Sequence, residues 1–332
     1  MRKKLRSSQE AAGPTLSSAR GLSANAAMKI ETIVNSTSGT VLRLGVDNLK
    51  AALDSAFSAS GIEAVLKFVP CEELRDAAAS ALLQAKSGEI DALVVGGGDG
   101  TVRTVAAILA GSGIPLGILP LGTLNHFAKD LGIPLELDSA AAVIANGSAR
   151  TIDVAEVNGE VFINNSSIGI YPYMVLDRER RRAETGHPKW VAMMLAFFRM
   201  LRQFPRRRLA VCSEGWAQPY RTPCLFIANN QYTTQLFALG KRENLDRGEL
   251  WLYIVKQRHP LAFLWLAMRT ALGLLDESRD IETLQVRAAE IRSRASRLLV
   301  ALDGEVEALR PPLRYRTRPG GLRVLTPAPA ET

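Results

Sequence analysis

The glycine-rich turn after residue 95 carries the clearest chemistry in this sequence. An apolar run that ends in two β-branched valines, residues 92–95, comes directly before Gly96-Gly97-Gly98-Asp99-Gly100-Thr101. Such a run is typical of a buried strand, and glycine lets the backbone take positive φ and approach a ligand closely. The apolar spacing after Asp99 predicts a helix whose free N–H groups and positive dipole end face the turn. The pattern therefore predicts an anion site suited to phosphate.

A second glycine turn follows the next predicted strand, residues 115–119. The turn contains Gly122 and Thr123, and Asn125 precedes another short helix. Two strand-to-helix turns in succession indicate neighbouring strand ends of a parallel sheet, where ligands collect. We expect the two turns to lie side by side.

Three carboxylates stand where they could take part in this chemistry. Asp99 would repel a phosphate unless a cation such as Mg²⁺ intervened, and the alternative is that it only caps the following helix. Asp303 and Glu305 flank Gly304 after an apolar strand, residues 297–302. These two carboxylates would emerge at a strand end, although an isolated Asp-Gly-Glu is usually only a hairpin turn.

Composition indicates an ordinary globular protein. The chain has 332 residues, 47% apolar and 22% charged, which is enough for two domains with cores of their own. Its net charge of +8 favours an anionic partner such as nucleic acid, a nucleotide or an acidic membrane surface. The three cysteines lack CxxC spacing and the three histidines are scattered, which favours a reducing compartment and argues against a histidine-based zinc site.

The first half alternates strands and helices. Residues 1–27 lack the apolar core of a secretory signal and are interpreted as a disordered extension or a misplaced start. Residues 28–149 predict an open parallel sheet wrapped by helices. The predicted strands are 29–34, 63–68, 92–95 and 115–119, and the predicted helices include 46–57, 72–86 and 139–146.

Residues 150–327 are predicted to be mostly β. Asn158-Gly159 suits a tight hairpin turn, because both positions tolerate positive φ. Further predicted strands are 207–213, 222–228, 250–256, 283–291, 297–302, and the pair 313–317 and 322–326 joined by Pro319-Gly320-Gly321. Many short strands separated by turns indicate a sandwich or a partly closed barrel.

Two apolar helical segments interrupt this β half. Residues 190–204 have basic flanks, and residues 260–275 are apolar except for Arg269. Neither reaches the length of about 20 apolar residues that spans a bilayer. Packing on the core is favoured for the second segment, whereas the first fits the core and a membrane interface equally well.

Taken together, these residues resemble the diacylglycerol kinase catalytic-domain family, which includes bacterial lipid kinases and sphingosine kinases. The resemblance covers residues 28–327. Its ordered motifs are Asn35 with Ser38-Gly39, Gly97-Gly98-Asp99-Gly100-Thr101, Pro120-Leu121-Gly122-Thr123-Leu124-Asn125, Asn164-Asn165 with Gly169, and Asp303-Gly304-Glu305. NAD kinases and phosphofructokinases are similar at the glycine turn alone, so the ordered set carries the specificity.

The resemblance implies an N-terminal α/β domain of the NAD kinase and phosphofructokinase type, a C-terminal β-sandwich, and a cleft between them. It implies that ATP is held by a set of small and amide residues: Asn35, Ser38, Gly97, Gly98, Gly100, Thr101, Thr123 and Asn125. Asp303 is then the general base on the acceptor hydroxyl, with Glu305 and Asp99 in the catalytic group. The implied Mg²⁺ ligands are Asp99, Asp246 and Glu305.

The sequence also departs from the family pattern. His126 stands where many members have Asp, Arg247 replaces the second Asp of an Asp-Asp-Gly stretch, and Val69-Pro70 lies where a threonine is common. The first two changes put an accessory cation site in question, and the third removes one expected nucleotide contact.

The resemblance predicts an ATP-dependent lipid kinase that phosphorylates a hydroxyl of diacylglycerol or a related lipid. We expect it to be cytoplasmic, to associate peripherally with the anionic inner face of the membrane, and not to bind nucleic acid. The alternatives are a soluble-substrate kinase of the NAD kinase type and a catalytically degenerate module that binds nucleotide or lipid. The sequence does not define which lipid is used or the oligomeric state, and a homodimer stays open.

Overall fold

The N-terminal half contains a four-stranded parallel sheet. The structure, a computed structural model, describes residues 27–183, 207–232, 242, 244–257, 259–271 and 280–328. The parallel strands are β1 (Met28–Asn35), β2 (Ile62–Val69), β3 (Ala92–Gly97) and β4 (Pro115–Pro120), and they stand in the order β2-β1-β3-β4. The central strand β3 is buried along its whole length, as expected where helices cover both faces. All four predicted strands are confirmed.

Six helices accompany this sheet: α1 (Gly39–Leu44), α2 (Val46–Ala59), α3 (Leu74–Ser87), α4 (Asp99–Leu109), α5 (His126–Asp130) and α6 (Leu137–Asn146). The predicted apolar stripe of α2 is buried through Leu49, Leu53 and Phe57. Helix α4 buries Val102, Val105 and Leu109 in the same core. The side of α4 is therefore taken up by core packing, which leaves its N-terminal turn to face a ligand.

The C-terminal half is built from antiparallel strands in two packed sheets. Its strands are β5 (Ser148–Val157), β6 (Glu160–Phe162), β7 (Asn165–Gly169), β8 (Arg207–Ser213), β9 (Trp216–Thr222), β10 (Cys224–Asn229), β11 (Leu250–Val255), β12 (Ile281–Val286), β13 (Ala288–Arg292), β14 (Leu298–Leu302), β15 (Glu305–Leu309) and β16 (Leu313–Thr326). One sheet has six strands in the order β12-β11-β10-β7-β14-β15. Ile168, Leu225 and Val300 of this sheet pack against Val211 and Ile291 of the other. The predicted α/β plus sandwich architecture is thus confirmed.

Strand β16 joins the two halves. It pairs in parallel with β4, through Val324 and Leu116, and antiparallel with β5 and β13. The N-terminal sheet and one sandwich sheet thereby form a continuous ten-stranded sheet. The prediction of two strands joined by a turn at Pro319-Gly320-Gly321 is wrong, because the register only shifts between Arg318 and Leu322 while both segments stay paired with β5. The domain boundary at residues 149 and 150 stays a prediction.

The predicted bounds of two other strands are wrong. The segment 283–291 is divided between β12 and β13, which belong to different sheets. The segment 222–228 crosses from the end of β9 into β10, and β9 itself was not predicted. The hairpin turn at Asn158 and Gly159 is confirmed, with φ of 51° and 93°.

Two helices of the C-terminal half are α7 (Ile170–Ala183) and α8 (Pro260–Ala271). Ile170 and Leu266 share a small buried cluster with Cys224 and Val255 of the six-stranded sheet. One face of α8 is therefore core, as predicted. The predicted helix 190–204 and the end of the predicted segment 260–275 lie outside the described residues. Within the described ranges, no helix is long and apolar enough to cross a membrane.

Candidate active site

The end of β1 is tied to the glycine turn by a side-chain hydrogen bond. Asn35 Nδ2 donates to Thr101 Oγ1 at 3.0 Å, and Asn35 Oδ1 accepts from the backbone N–H of Thr37 at 2.9 Å. The hydroxyl oxygen of Ser38 is buried and finds no hydrogen-bond partner within the described part of the chain. The structure thus brings Asn35 and Thr101 together and leaves the Ser38 hydroxyl unused beside them.

The two predicted glycine turns lie against each other. A Cβ on Gly122 would collide with the Cα of Gly98, and a Cβ on Gly97 would lie 2.6 Å from the Cβ of Thr101. These contacts explain why the turns need glycine. Because the carboxyl ends of β3 and β4 are neighbours, the expected side-by-side arrangement is confirmed.

Asp99 and Asn125 fix the shape of these turns. Gly98, and not Asp99, is the N-cap of α4, and Asp99 Oδ1 accepts the backbone N–H of Phe127 at 3.1 Å. The predicted capping role of Asp99 is therefore wrong for its own helix, since its carboxylate caps α5 instead. Asn125, with φ of 51°, bonds to both the N–H and the C=O of Gly122 at 2.9 Å. Thr123 is exposed at the tip.

Asp303 lies at the end of β14 in an unusual backbone conformation, with φ of 49°. Its Oδ2 accepts the N–H of Ile163 at 2.7 Å, and its Oδ1 accepts the N–H groups of Asn164 and Asn165 at 2.8 and 2.9 Å. Burial raises the pKa of this carboxyl above its usual range, although the three N–H donors and the charge of Arg103 oppose the shift. The carboxylate is therefore rigidly held and is disposed to accept a proton.

Glu305 crosses from the C-terminal sheet to the glycine turn. Its Oε1 lies so close to Gly100 that a Cβ there would collide with it. Its Oε2 accepts a hydrogen bond from Arg103 Nη1 at 3.0 Å. The short segment that carries Asp303 therefore meets the N-terminal turn of α4, although about 200 residues separate them in the sequence.

Comparison with known proteins identifies the family of this chain. Residues 29–157 match the model of the diacylglycerol kinase catalytic domain. A protein of Pseudomonas aeruginosa named "Probable lipid kinase YegS-like" is 34% identical over 243 residues, covering 71% of this chain and 76% of that protein. The chain belongs to the diacylglycerol kinase family of lipid kinases.

One further relative and one solved structure are also similar to this chain. The diacylglycerol kinase of Bacillus subtilis is 27% identical over 239 residues, covering 70% of this chain and 77% of that protein. A solved structure of a diacylglycerol kinase from Bacillus anthracis str. Sterne superposes with a TM-score of 0.64 at 21% identity and covers 90% of this chain and 96% of that one. That structure bears on the fold alone. Family membership implies a phosphotransferase that uses ATP and a lipid substrate.

Within this family fold, a buried arginine that the sequence did not reveal supports the backbone around Asp303. Arg242 donates to the C=O of Ile163 at 2.8 Å and to Asn164 Oδ1 at 2.5 Å. It also pairs with Asp130 of α5, with Nε and Oδ2 2.8 Å apart, and its guanidinium lies over the ring of Tyr232. A hydrogen-bonded path therefore runs from Asp99 through α5 and Arg242 to the N–H groups that hold Asp303.

The residues that the resemblance assigns to Mg²⁺ are Asp99, Asp246 and Glu305. Asp246 pairs with Arg150 at 3.0 Å, in a loop anchored where Gly248 N–H donates to Asp153. Among the described residues, no group of three or more His, Cys, Asp or Glu side chains could hold a metal. The predicted set of three carboxylates is therefore not assembled.

Two of the three predicted ligands do lie at the same turn. Glu305 contacts Gly100, the neighbour of Asp99 in the sequence. Mg²⁺ in kinase sites is commonly bound by one or two carboxylates and completed by phosphate oxygens and water. The oxygen donors of Asp99 and Glu305 fit that chemistry.

The two departures from the family pattern lie in different surroundings. His126 begins α5, and its Nε2 is buried without a hydrogen-bond partner in the described part of the chain. Arg247 is exposed. Neither side chain intrudes between Gly100 and Glu305, so the turn described above keeps its carboxylates.

Proposed function

We propose that this protein transfers the γ-phosphate of ATP to a hydroxyl group of diacylglycerol or a related lipid. The observation that carries the proposal is the meeting of two distant segments at one place. The segment Asp303-Gly304-Glu305 supplies a proton acceptor and an oxygen ligand, and it lies against the N-terminal turn of α4. A helix N-terminus with a glycine turn is suited to bind phosphate groups.

In the proposed reaction, the N–H groups at the start of α4 hold the phosphate groups of ATP. Asp303 accepts the proton of the lipid hydroxyl, and that oxygen forms a bond to the γ-phosphorus while the bond to the β,γ-bridging oxygen breaks. ADP leaves with the bonding electrons. The protein contributes mainly position and charge stabilisation, which is what phosphoryl transfer requires.

Asp99 and Glu305 would hold Mg²⁺ in this proposal. When bound, the ion neutralises charge on the phosphate oxygens and on the developing transition state. Asp99 keeps Oδ1 on the N–H of Phe127 and Glu305 keeps Oε2 on Arg103, so each has a second oxygen for the ion. These assignments rest on the donor chemistry of the two side chains.

We further propose that the exposed face of α8 meets the membrane that contains the lipid. Leu261, Leu264, Trp265 and Met268 recur at helical spacing and are 39–57% exposed, whereas Leu266 on the opposite face is buried. An apolar stripe with tryptophan is suited to lie at a bilayer surface, and the net charge of +8 favours anionic head groups. This supports peripheral attachment at a cytoplasmic membrane surface.

The test is a phosphorylation assay with γ-labelled ATP and a panel of diacylglycerol, sphingosine, ceramide and phosphatidylglycerol in mixed micelles, followed by thin-layer separation. We expect label in one of these lipids with wild type and at least about 100-fold less with Asp303→Asn. Asp54→Asn is the matched control, because Asp54 forms an exposed pair with Lys50. Absence of label from every lipid would count against the proposal, and label in NAD in a parallel reaction would transfer the support to a soluble-substrate kinase.

Flotation with anionic vesicles tests the membrane contact separately. Trp265→Glu should lower vesicle binding, whereas a change at exposed Leu83 on α3 should not. Equal binding by wild type and Trp265→Glu would remove α8 from this role.

A further inference from the structure

Arg103 is a buried cation that is not among the predicted site residues. It lies on α4, two residues after Thr101, and only 4% of the residue is exposed. A buried charge is costly unless it is paired and hydrogen-bonded. Its surroundings should therefore reveal why an arginine occupies this position.

The guanidinium of Arg103 is satisfied on three sides by the C-terminal half. Nη1 donates to Glu305 Oε2 at 3.0 Å, Nη2 donates to Glu307 Oε1 at 2.8 Å, and Nε donates to the C=O of Val161 at 3.0 Å. The planar fork of arginine N–H groups is suited to bind acceptors on three sides at once. The three acceptors come from two separate segments, so Arg103 joins both of them to α4.

The contact with Glu305 distinguishes its two oxygens. Arg103 occupies Oε2, and Oε1 is the atom that faces Gly100 in the first turn of α4. Without the guanidinium, this side chain, 49% exposed, could turn away into solvent. We propose that Arg103 is a positioning residue that presents Oε1 of Glu305 to the phosphate-binding turn. The inference rests on the proposed function, because it assumes that phosphate groups and their cation occupy that turn.

Glu307 completes the arrangement. Two carboxylates share one guanidinium, so Arg103 remains paired with Glu307 when Glu305 also serves a cation. Glu307 is more buried than Glu305, with 29% of its side chain exposed against 49%. We expect Glu307 to hold Arg103 in place and Glu305 to bind the cation at the turn.

The third bond extends the effect toward Asp303. Val161 precedes the segment 163–165, whose N–H groups bind Asp303, and Arg103 fixes the C=O of Val161. The positive charge of Arg103 also acts to lower the pKa of Asp303. Arg103 therefore contacts Glu305 directly and supports Asp303 indirectly, through the backbone that follows Val161.

A merely structural arginine would act on folding alone, so the experiment must separate the two roles. The variants are Arg103→Lys, Glu305→Gln and their double, with Arg314→Lys as the matched control, since Arg314 pairs with Glu290 and is 74% exposed. Two quantities are measured for each: kcat with the phosphorylated lipid, and the affinity for a non-hydrolysable ATP analogue by calorimetry with and without Mg²⁺. Thermal unfolding reports the folded fraction.

We expect Arg103→Lys to lower two quantities by about 10- to 100-fold, as is usual for residues that orient a metal ligand. These quantities are kcat and the gain in analogue affinity that Mg²⁺ provides. In the Glu305→Gln background the same change should have little further effect on the Mg²⁺-dependent gain in affinity, because Arg103 reaches the turn through Glu305. Arg314→Lys should stay within about twofold of wild type.

Additive effects of Arg103→Lys and Glu305→Gln on the Mg²⁺-dependent affinity would overturn the inference, as would losses that merely follow the folded fraction. If wild type phosphorylates no lipid, the proposed function fails, yet the calorimetric comparison still decides on Arg103. Non-additivity in the Mg²⁺-dependent affinity would support its positioning role, and additivity would refute it.

Discussion

Two parts of the candidate active site are built in opposite ways. The nucleotide side, residues 97–101 with 122–125, is made of segments that are near one another in the sequence and is shaped by glycine contacts and by Asn125. The acceptor side, residues 163–165 with 303–305, is held by hydrogen bonds between residues 138 to 140 positions apart. One side is local and uses backbone, whereas the other is non-local and uses buried charge.

The two sides should differ in their sensitivity to substitution. A local turn is fixed by sterics, so a single added methyl group can disturb it. The acceptor side depends on Asp303, Arg103 and Arg242, and each of them is held by partners that must arrive from distant segments. Substitutions on the two sides should therefore fail in distinguishable ways.

The largest effect is expected from Asp303→Asn. The amide cannot accept the proton of the acceptor hydroxyl, so kcat should fall by about 10²- to 10⁴-fold. Affinity for an ATP analogue should change little, because the nucleotide side does not include Asp303. Rate and calorimetric measurements on the same preparation compare the two quantities, and an unchanged kcat would remove Asp303 from the role of base.

This variant needs a stability control of its own. Asp303 Oδ2 accepts the N–H of Ile163, and an amide N–H₂ at that place would face another donor. We expect a loss of about 1–3 kcal/mol in the free energy of unfolding. The kinetic comparison is therefore made per folded molecule.

The next effect concerns the buried ion pair that supports the acceptor side. Arg242→Met leaves Asp130 buried without its partner and should cost about 3–5 kcal/mol in the free energy of unfolding. Urea denaturation measures this loss. Arg150→Met is the matched control, because its pair with Asp246 is nearly half exposed and should be worth less than about 1 kcal/mol. Equal losses in the two variants would contradict the importance of the buried network.

The same contrast explains which features of the structure could be predicted from the sequence. The parallel strands and the glycine turns were predictable, because their signals lie within a few consecutive residues, such as the run 92–95 before Gly96. The turn at Asn158 and Gly159 was predictable for the same reason. Local patterns do not report which distant strand will be the neighbour. The continuous strand β16 and the division of 283–291 between two sheets were therefore missed.

The buried arginines were missed for a related reason. Arg103 lies on a helix whose apolar stripe was recognised, but its acceptors Val161, Glu305 and Glu307 are 58 to 204 residues away. Arg242 stands in a segment without strand or helix periodicity. Its burial is seen only once Asp130 and Asn164 surround it. A charged residue gives no sign in the sequence that it will be buried, because its partners decide that.

A smaller effect tests the nucleotide side. Gly122→Ala places a methyl group against the Cα of Gly98 and should cost about 1–3 kcal/mol in unfolding free energy, with reduced affinity for the ATP analogue. Gly98→Ala is the informative partner, because its Cβ would lie 3.5 Å from Gly122, an ordinary contact. This second variant should remain nearly as stable as wild type and still bind the analogue more weakly. Full affinity in Gly98→Ala would show that ligand does not approach this turn.

The smallest effect is a displacement of the pH profile. Asp303 must be ionised to accept a proton, and its pKa is raised by burial, so kcat should fall with decreasing pH at a higher pH than for an ordinary carboxyl group. The pH dependence of the free energy of unfolding has the opposite sign to that of kcat. The folded protein favours the protonated carboxyl, so this group's contribution to stability is present below the ordinary carboxyl pKa and is lost as pH rises through the folded pKa.

Arg103→Met should displace the pH profile further. Removing the cation takes away one influence that lowers the pKa of Asp303, so the acidic limb of the kcat profile should move to still higher pH. Profiles of kcat for wild type and Arg103→Met, recorded from acidic to neutral pH, provide the measurement. A limb that stays in place would mean that the acceptor side senses no charge from α4. The electrostatic link between the two sides would then be absent.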